Sequence, residues 1–300
     1  TDVPAGEGFS NSLKFDNTTA DASPASGDFA MCQYKYEGQH LQGFNKGTAS
    51  AKKFAVSFYV KSSKTGTHIV SLSDQDNSRQ VSQAYTVDSA DTWERKKMIF
   101  PADTTGTFDN DNAFSLQIFW WLGAGSDRTS GTLNTSWGSI TNANRAVGQV
   151  NLADNTSNNW YITGVQIEVG DQCSEFEHLP RDVQLQRCMR YFYKHTQPQT
   201  GNNEPMGVAA YYSATQVNSH IPFKVPMRTS PSLVCTDASN HFIIYRAGGS
   251  DAVDNWTAGE TTENVGEIYN NSDVASSTAG FACTISTNNA SASLAFNAEL

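Results

Sequence analysis

The sequence predicts an all-β protein in which a β-sandwich is followed by a short helix and a second, smaller β-sandwich domain. Three observations carry this. Apolar residues recur at every second position in one segment after another, the period of a strand with one buried face. Only 17% of the residues are charged while 38% are hydrophobic, so the polar surface is made largely of Ser, Thr, Asn, Gln and Gly, which suit turns and exposed sheet faces better than helix interiors. The 300 residues exceed what one hydrophobic core usually serves, which points to two domains.

The first clear strand covers residues 54–60, with Phe54, Val56, Phe58 and Val60 on one face and Ala55, Ser57 and Tyr59 on the other. Strands follow at 68–72, 80–87, 94–100 and 113–122. A loop over 123–159, rich in Asn, Ser, Thr and Gly, leads to a strand at 160–169 that places Tyr161, Thr163, Val165, Ile167 and Val169 together. Short strands at this spacing, divided by Ser, Asp, Asn and Gly, argue for a sandwich or barrel. Pro180 ends the pattern, since it cannot continue a ladder and suits the start of a helix. Residues 181–193 read as that helix, with Val183, Leu185, Cys188, Met189 and Phe192 as its apolar stripe. Beyond it, strands are predicted at 207–213, 220–225, 232–235, 241–246, 280–286 and 292–298, with loops over 247–277. The boundaries are 1–172 for the first domain, 173–195 for linker and helix, and 196–300 for the second domain.

Charge and motif content exclude several classes of function. The net charge is -10 and the longest basic run is Arg95-Lys96-Lys97, so no groove for nucleic acid is expected. No segment is long and apolar enough to insert into a membrane, and Thr1-Asp2-Val3-Pro4 does not open like a signal peptide. The five cysteines form no C-x-x-C pair and are predicted reduced, in or near a core. The six histidines are scattered, and Asp74-Gln75-Asp76-Asn77 lacks the glycine and closing glutamate of a calcium loop, so it and Asp109-Asn110-Asp111-Asn112 are predicted to be polar turns. No cofactor is expected. G-x-S-x-G elbows and phosphate loops are missing, and the chain is expected to be non-catalytic.

The aromatics point to binding. In the strand around 114–122, Phe114, Leu116, Ile118, Trp120 and Leu122 share the core face, while Ser115, Gln117, Phe119 and Trp121 share the other. Two large aromatics beside an amide suit a platform on which sugar rings stack while the amide bonds hydroxyls. Phe119, Trp121 and Gln117 are therefore the candidate ligand-binding residues, joined by Tyr59 if its strand is a neighbour. The competing expectation is that Phe119 and Trp121 pack under the long loop or against another subunit. Trp93 and Trp160 stand at strand starts, where packing at the core edge is expected.

Several stretches resemble one family. They are Phe58-Tyr59-Val60-Lys61-Ser62-Ser63, Asp91-Thr92-Trp93-Glu94, Pro101-Ala102-Asp103-Thr104-Thr105-Gly106-Thr107 and Leu122-Gly123-Ala124-Gly125-Ser126. With them go Trp160-Tyr161-Ile162-Thr163-Gly164-Val165-Gln166-Ile167-Glu168-Val169-Gly170, Phe176-Glu177-His178 and Gln186-Arg187-Cys188-Met189-Arg190-Tyr191-Phe192-Tyr193. In order and spacing they resemble the carbohydrate-binding-module-like jelly roll of tail-fibre and other virion structural proteins of tailed, marine-type bacteriophages, over roughly residues 50–195. The terminal Phe296-Asn297-Ala298-Glu299-Leu300 is similar to the end of such chains. The resemblance implies a jelly roll, a homotrimer, assembly in a bacterial cytoplasm and display on the virion, where other virion proteins and a host surface glycan or outer-membrane receptor are the partners. It supplies no binding residues, so the sugar expectation rests on an analogy of fold. Host recognition is the leading expectation. An architectural head, collar or tail appendage and a surface-polysaccharide depolymerase are the alternatives, the last disfavoured because no short repeat of a β-helix is present.

Overall fold

A computed structural model describes residues 2–196 and 203–300. The chain forms two compact units, Thr1–His178 and Leu179–Leu300. Residues 197–202, assigned by sequence to the start of the second domain, lie outside the described residues.

Unit 1 contains β1 (Leu13–Asp16), β2 (Phe29–Glu37), β3 (Phe54–Ser62), β4 (Gly66–Asp74), β5 (Arg79–Val87), β6 (Glu94–Phe100), β7 (Phe114–Ala124), α1 (Ser126–Thr129), β8 (Gly138–Ser139) and β9 (Asn159–Val169). They make two antiparallel sheets, one in the order β1-β9-β3-β6 and the other β2-β7-β4-β5-β8. Alternation explains the core between them. Phe54, Val56, Phe58 and Val60 of β3 meet Leu116, Ile118, Trp120 and Leu122 of β7, all buried. Strand β2 escaped sequence detection because it lies at a sheet edge and none of its hydrophobic residues is fully buried, Cys32 and Tyr36 packing on the core only in part.

The face assignment for β9 is corrected over half its length. Trp160 and Ile162 belong to the core, whereas Val165 and Ile167 pack against it from the far side of an irregularity. Ser57 pairs with Gln166 and Tyr59 with Thr163, so Gly164 and Val165 together oppose Phe58. This is a bulge, and Gly164 has φ 60°. One extra residue reverses the parity of everything beyond it.

Unit 2 contains α2 (Arg181–Met189), β10 (Phe192–Lys194), β11 (Pro205–Ser213), β12 (Gln216–Pro222), β13 (Ser232–Cys235), β14 (Phe242–Arg246), β15 (Gly249–Val253), β16 (Thr257–Thr261), β17 (Val265–Asn270), β18 (Ala282–Thr287) and β19 (Leu294–Asn297). A seven-stranded antiparallel sheet, β15-β14-β18-β11-β12-β17-β16, encloses a core with a three-stranded one, β10-β19-β13. Tyr211, Val217, Phe242, Ile244, Ile268 and Ile285 of the larger sheet are buried, as are Leu294 and Phe296 of the smaller. Gly266 is required here, because a Cβ would lie 2.3 Å from the Phe296 ring.

Two further expectations are corrected in this unit. The helix stops at Met189 instead of running to Tyr193, because Phe192 and Tyr193 pair with Asn297 and Phe296 of β19 and Tyr193 is buried. Aromatic residues gain more from a sheet edge with a core face than from an exposed last helical turn. Residues 247–277, expected to form loops, hold β15, β16 and β17. These lie at or next to the sheet edges and bury only one face, so few apolar residues suffice.

Candidate functional site

Of the two expectations for Phe119 and Trp121, the exposed platform is not present and packing under the long loop is. Trp121 is 1% exposed, Phe119 3% and Gln117 9%. Their parity is as read, opposite to the core face. The loop over 125–150 then folds down on them, so Phe119 and Trp121 join Ile69 and Ala146 in a small cluster of their own. Arg145 lies over both rings, at 4.9 and 5.4 Å from their centroids. The Trp121 indole Nε1 donates to Ser71 Oγ at 2.9 Å. This is packing beneath the unit's own loop, and a sugar cannot reach these rings.

Tyr59 is separated from them. It lies on β3 in the other sheet, facing outward, and is 6% exposed. The segment before β1 covers it, with the Phe9 ring 5.4 Å away, and Phe176 and His178 pack on Phe9 in turn. Residues 173–178, expected to be linker, thus belong to unit 1. The Glu177 amide donates to Gln166 of β9, and Arg95 of β6 pairs with Glu175.

These two crossing segments leave a hollow of about 360 Å³ on the outer face of the four-stranded sheet, lined by Pro4, Ala5, Glu7, Tyr59, Trp93, Arg95 and Glu175. Tyr59 and Arg95 are cross-strand partners. The guanidinium lies 5.6 Å from the Tyr59 centroid. The Tyr59 hydroxyl donates to Glu7 at 2.6 Å. Burial, then that hydrogen bond, push the phenol up to about 12, so it remains a proton donor. Trp93 is half-buried, its Nε1 donates to Asp2 at 2.9 Å, and its ring meets Tyr161 edge-on at 6.2 Å. Lys61 also pairs with Asp2. The hydrogen bonds from Lys61 and then Trp93 hold the Asp2 carboxyl below its usual range, which fixes the indole at the rim.

The arrangement offers one aromatic face, a guanidinium donor and two exposed carboxylate acceptors. That set can stack an apolar ring face and bond several hydroxyls at once. Glu7 and Glu175 are exposed and already engaged by Tyr59 and Arg95, an arrangement suited to accepting hydrogen bonds. A second hollow, about 520 Å³, lies where β1 and β9 face β2. Its lining, which includes Leu13, Tyr34, Tyr36 and Trp120, contains no charged residue.

Tyr59 was expected beside Phe119 and Trp121, which lie in the other sheet, and its companions in this hollow were not anticipated. Trp93 was assigned to core-edge packing, and Arg95 was seen only within a basic triplet. The available signal was Asp91-Thr92-Trp93-Glu94-Arg95, an aromatic set among charges of both signs directly after a turn, in which Asp91 has φ 54°. Glu7 and Glu175 are 168 positions apart and carried no such signal.

Among the described residues, no group of three or more His, Cys, Asp or Glu is placed to hold a metal ion. Asp74 instead caps its own turn by accepting from Asn77. All five cysteines are free thiols. No described helix is long and apolar enough to cross a membrane. Compared with known proteins, the chain matches no family model and no curated protein sequence.

Proposed function

We propose that the chain is a non-catalytic virion protein of a tailed bacteriophage, a fibre or spike component whose unit 1 is a jelly roll that binds host-surface glycan beside Trp93. The observation that carries the binding reading is the hollow of Trp93, Tyr59, Arg95, Glu7 and Glu175, which joins an aromatic rim to hydroxyl-bonding groups of both signs. The strand order supports the jelly roll. With the two-residue β8 set aside, the orders β1-β9-β3-β6 and β2-β7-β4-β5 make every connection except the β4–β5 hairpin cross between sheets, as expected of two Greek keys wound together, an architecture used by capsid and lectin domains. The glycan class still rests on chemistry and analogy of fold. Virion display, assembly in a bacterial cytoplasm and a trimeric state belong to the same proposal, because several weak sugar sites acting together give useful avidity.

The test is binding of the purified chain to a panel of bacterial lipopolysaccharides and capsular polysaccharides, with Trp93→Ala and Arg95→Ala beside the unsubstituted chain. Saturable binding to at least one polysaccharide, weakened tenfold or more in both variants while their melting temperatures stay within a few degrees, is the expected result. Binding to none, or undiminished binding by both variants, overturns the proposal.

A further inference from the structure

An exposed apolar surface lies in unit 2. On the outer face of the seven-stranded sheet, Val208 is 74% exposed, Tyr212 72% and Tyr245 39%, and Phe281 just before β18 is 50% exposed. Pairing places these residues side by side. Tyr245 is opposite Thr284, which is opposite Val208. The next row runs Ala282, Ala210, Asn218, Tyr269 and Thr257 across five strands. The inward positions between them, Ala209, Tyr211, Cys283 and Ile285, face the core, so this is a true outer face.

The solvated face of an antiparallel sheet normally alternates polar side chains outward. Here the strands β18, β11 and β12 present no Lys, Arg, Asp or Glu outward, and His220 is their one titratable group other than tyrosine. Glu267 on β17 is already occupied, accepting from Asn218 at 2.6 Å and lying 3.9 Å from His220. The centre of the face is small and uncharged, and its margins are aromatic.

We infer that this face is where copies of the chain associate, with a second copy of unit 2 as the occupant. Two arguments select that partner. The chain carries a net charge of -10, so charge opposes the approach of two copies on average, and a face without charge is where that opposition is least. Size agrees: seven strands at ~4.8 Å spacing and roughly six residues long cover on the order of 600 Å² in projection, close to the ~800 Å² of accessible surface each partner gives to a stable interface. Exposed apolar residues gathered on one face, as Val208, Tyr212, Tyr245 and Phe281 are here, mark interaction sites in soluble proteins.

The inference rests on the multi-copy state in the proposed function and goes further by naming the surface that forms it; its readout, association, is separate from glycan binding. Sedimentation velocity is run on the full chain at 1 to 50 µM, alongside Val208→Lys/Ala210→Lys and a control, Trp93→Ala. The expected result is an oligomer for the unsubstituted chain and for Trp93→Ala, and a monomer for the double variant with an unchanged far-UV circular dichroism spectrum. A milder variant, Tyr212→Ser, is expected to weaken association at least tenfold and covers the case in which the double variant misfolds. A monomeric unsubstituted chain at 50 µM, or an oligomer that persists in a folded Val208→Lys/Ala210→Lys and in Tyr212→Ser, overturns the inference.

Discussion

Replacing Lys46 with Met should unfold unit 1 more readily than any exposed substitution. The Lys46 ammonium is completely buried, 2.5 Å from Asp74 Oδ2 and 3.2 Å from Asp103 Oδ2, and it donates to the Thr105 and Gly106 carbonyls at 2.9 and 2.8 Å. Its removal leaves two buried carboxylates with unequal support. Asp103 keeps Arg79, which bonds it through Nε and Nη2 at 2.7 and 3.0 Å. Burial alone would raise the Asp103 carboxyl, but Arg79, the Thr105 amide and Lys46 hold it below its ordinary range. Among its described hydrogen bonds, Asp74 keeps only the neutral donors of Asn77. Breaking a buried pair on one side costs about 3–5 kcal/mol, a large part of the ~5–15 kcal/mol that holds a domain folded. Five of the six tryptophans lie in unit 1, so urea unfolding followed by tryptophan fluorescence reports mainly that unit. Lys46→Met/Asp74→Asn should recover at least ~1 kcal/mol of the loss, since it removes the stranded charge. Because the cage is buried, 0.5 M salt should leave the loss nearly unchanged. A cost below about 1 kcal/mol for Lys46→Met, or no recovery in the double variant, would refute this electrostatic account.

Trp121→Ala should cost about 3–5 kcal/mol of stability, as expected for a buried aromatic, and its effect on polysaccharide binding should follow its loss of folded protein; the same urea titration checks it. Gly164→Ala should destabilise unit 1 by about 1–3 kcal/mol, because its φ is 60° and a Cβ would lie 2.5 Å from the Phe9 ring and 3.0 Å from Tyr59; a fall in melting temperature measures it. His68 is buried beside Tyr85, and burial lowers its pKa from 6.5 to about 4. The folded pKa lies below the unfolded one, so stability is full above pH 6.5 and declines by on the order of 3 kcal/mol as pH falls to about 4. His68→Gln should flatten that slope in a melting series from pH 7 to pH 4.

Sequence exposed what is written locally. The β3, β5 and β6 strands and the parity of β7 follow from alternation within single segments, and the matching burial of Phe58 and Trp120 reflects it. Features set by a second segment were hidden. Packing of Phe119 and Trp121 under the long loop was one of two expectations, but that Arg145 and Ala146 are the residues that cover them could not be read from a loop that by composition reads as solvated. The inward turn of Val165 depends on one bulge at Gly164, which alternation cannot register. The Lys46 cage joins residues 28 and 57 positions away, and the hollow at Trp93 needs Glu7 and Glu175 from opposite ends of unit 1. In unit 2, β16 and β17 were hidden because strands at or next to an edge bury one face and need few apolar residues.

The glycan site is tested most directly by following the six tryptophan indole N–H signals in nuclear magnetic resonance spectra as an oligosaccharide from the best-binding bacterial polysaccharide is added. The Trp93 signal is expected to shift saturably while those of the buried Trp120, Trp121 and Trp160 stay in place. An unmoved Trp93 signal in the presence of a bound oligosaccharide, or the lack of any bacterial polysaccharide that binds, would contradict it.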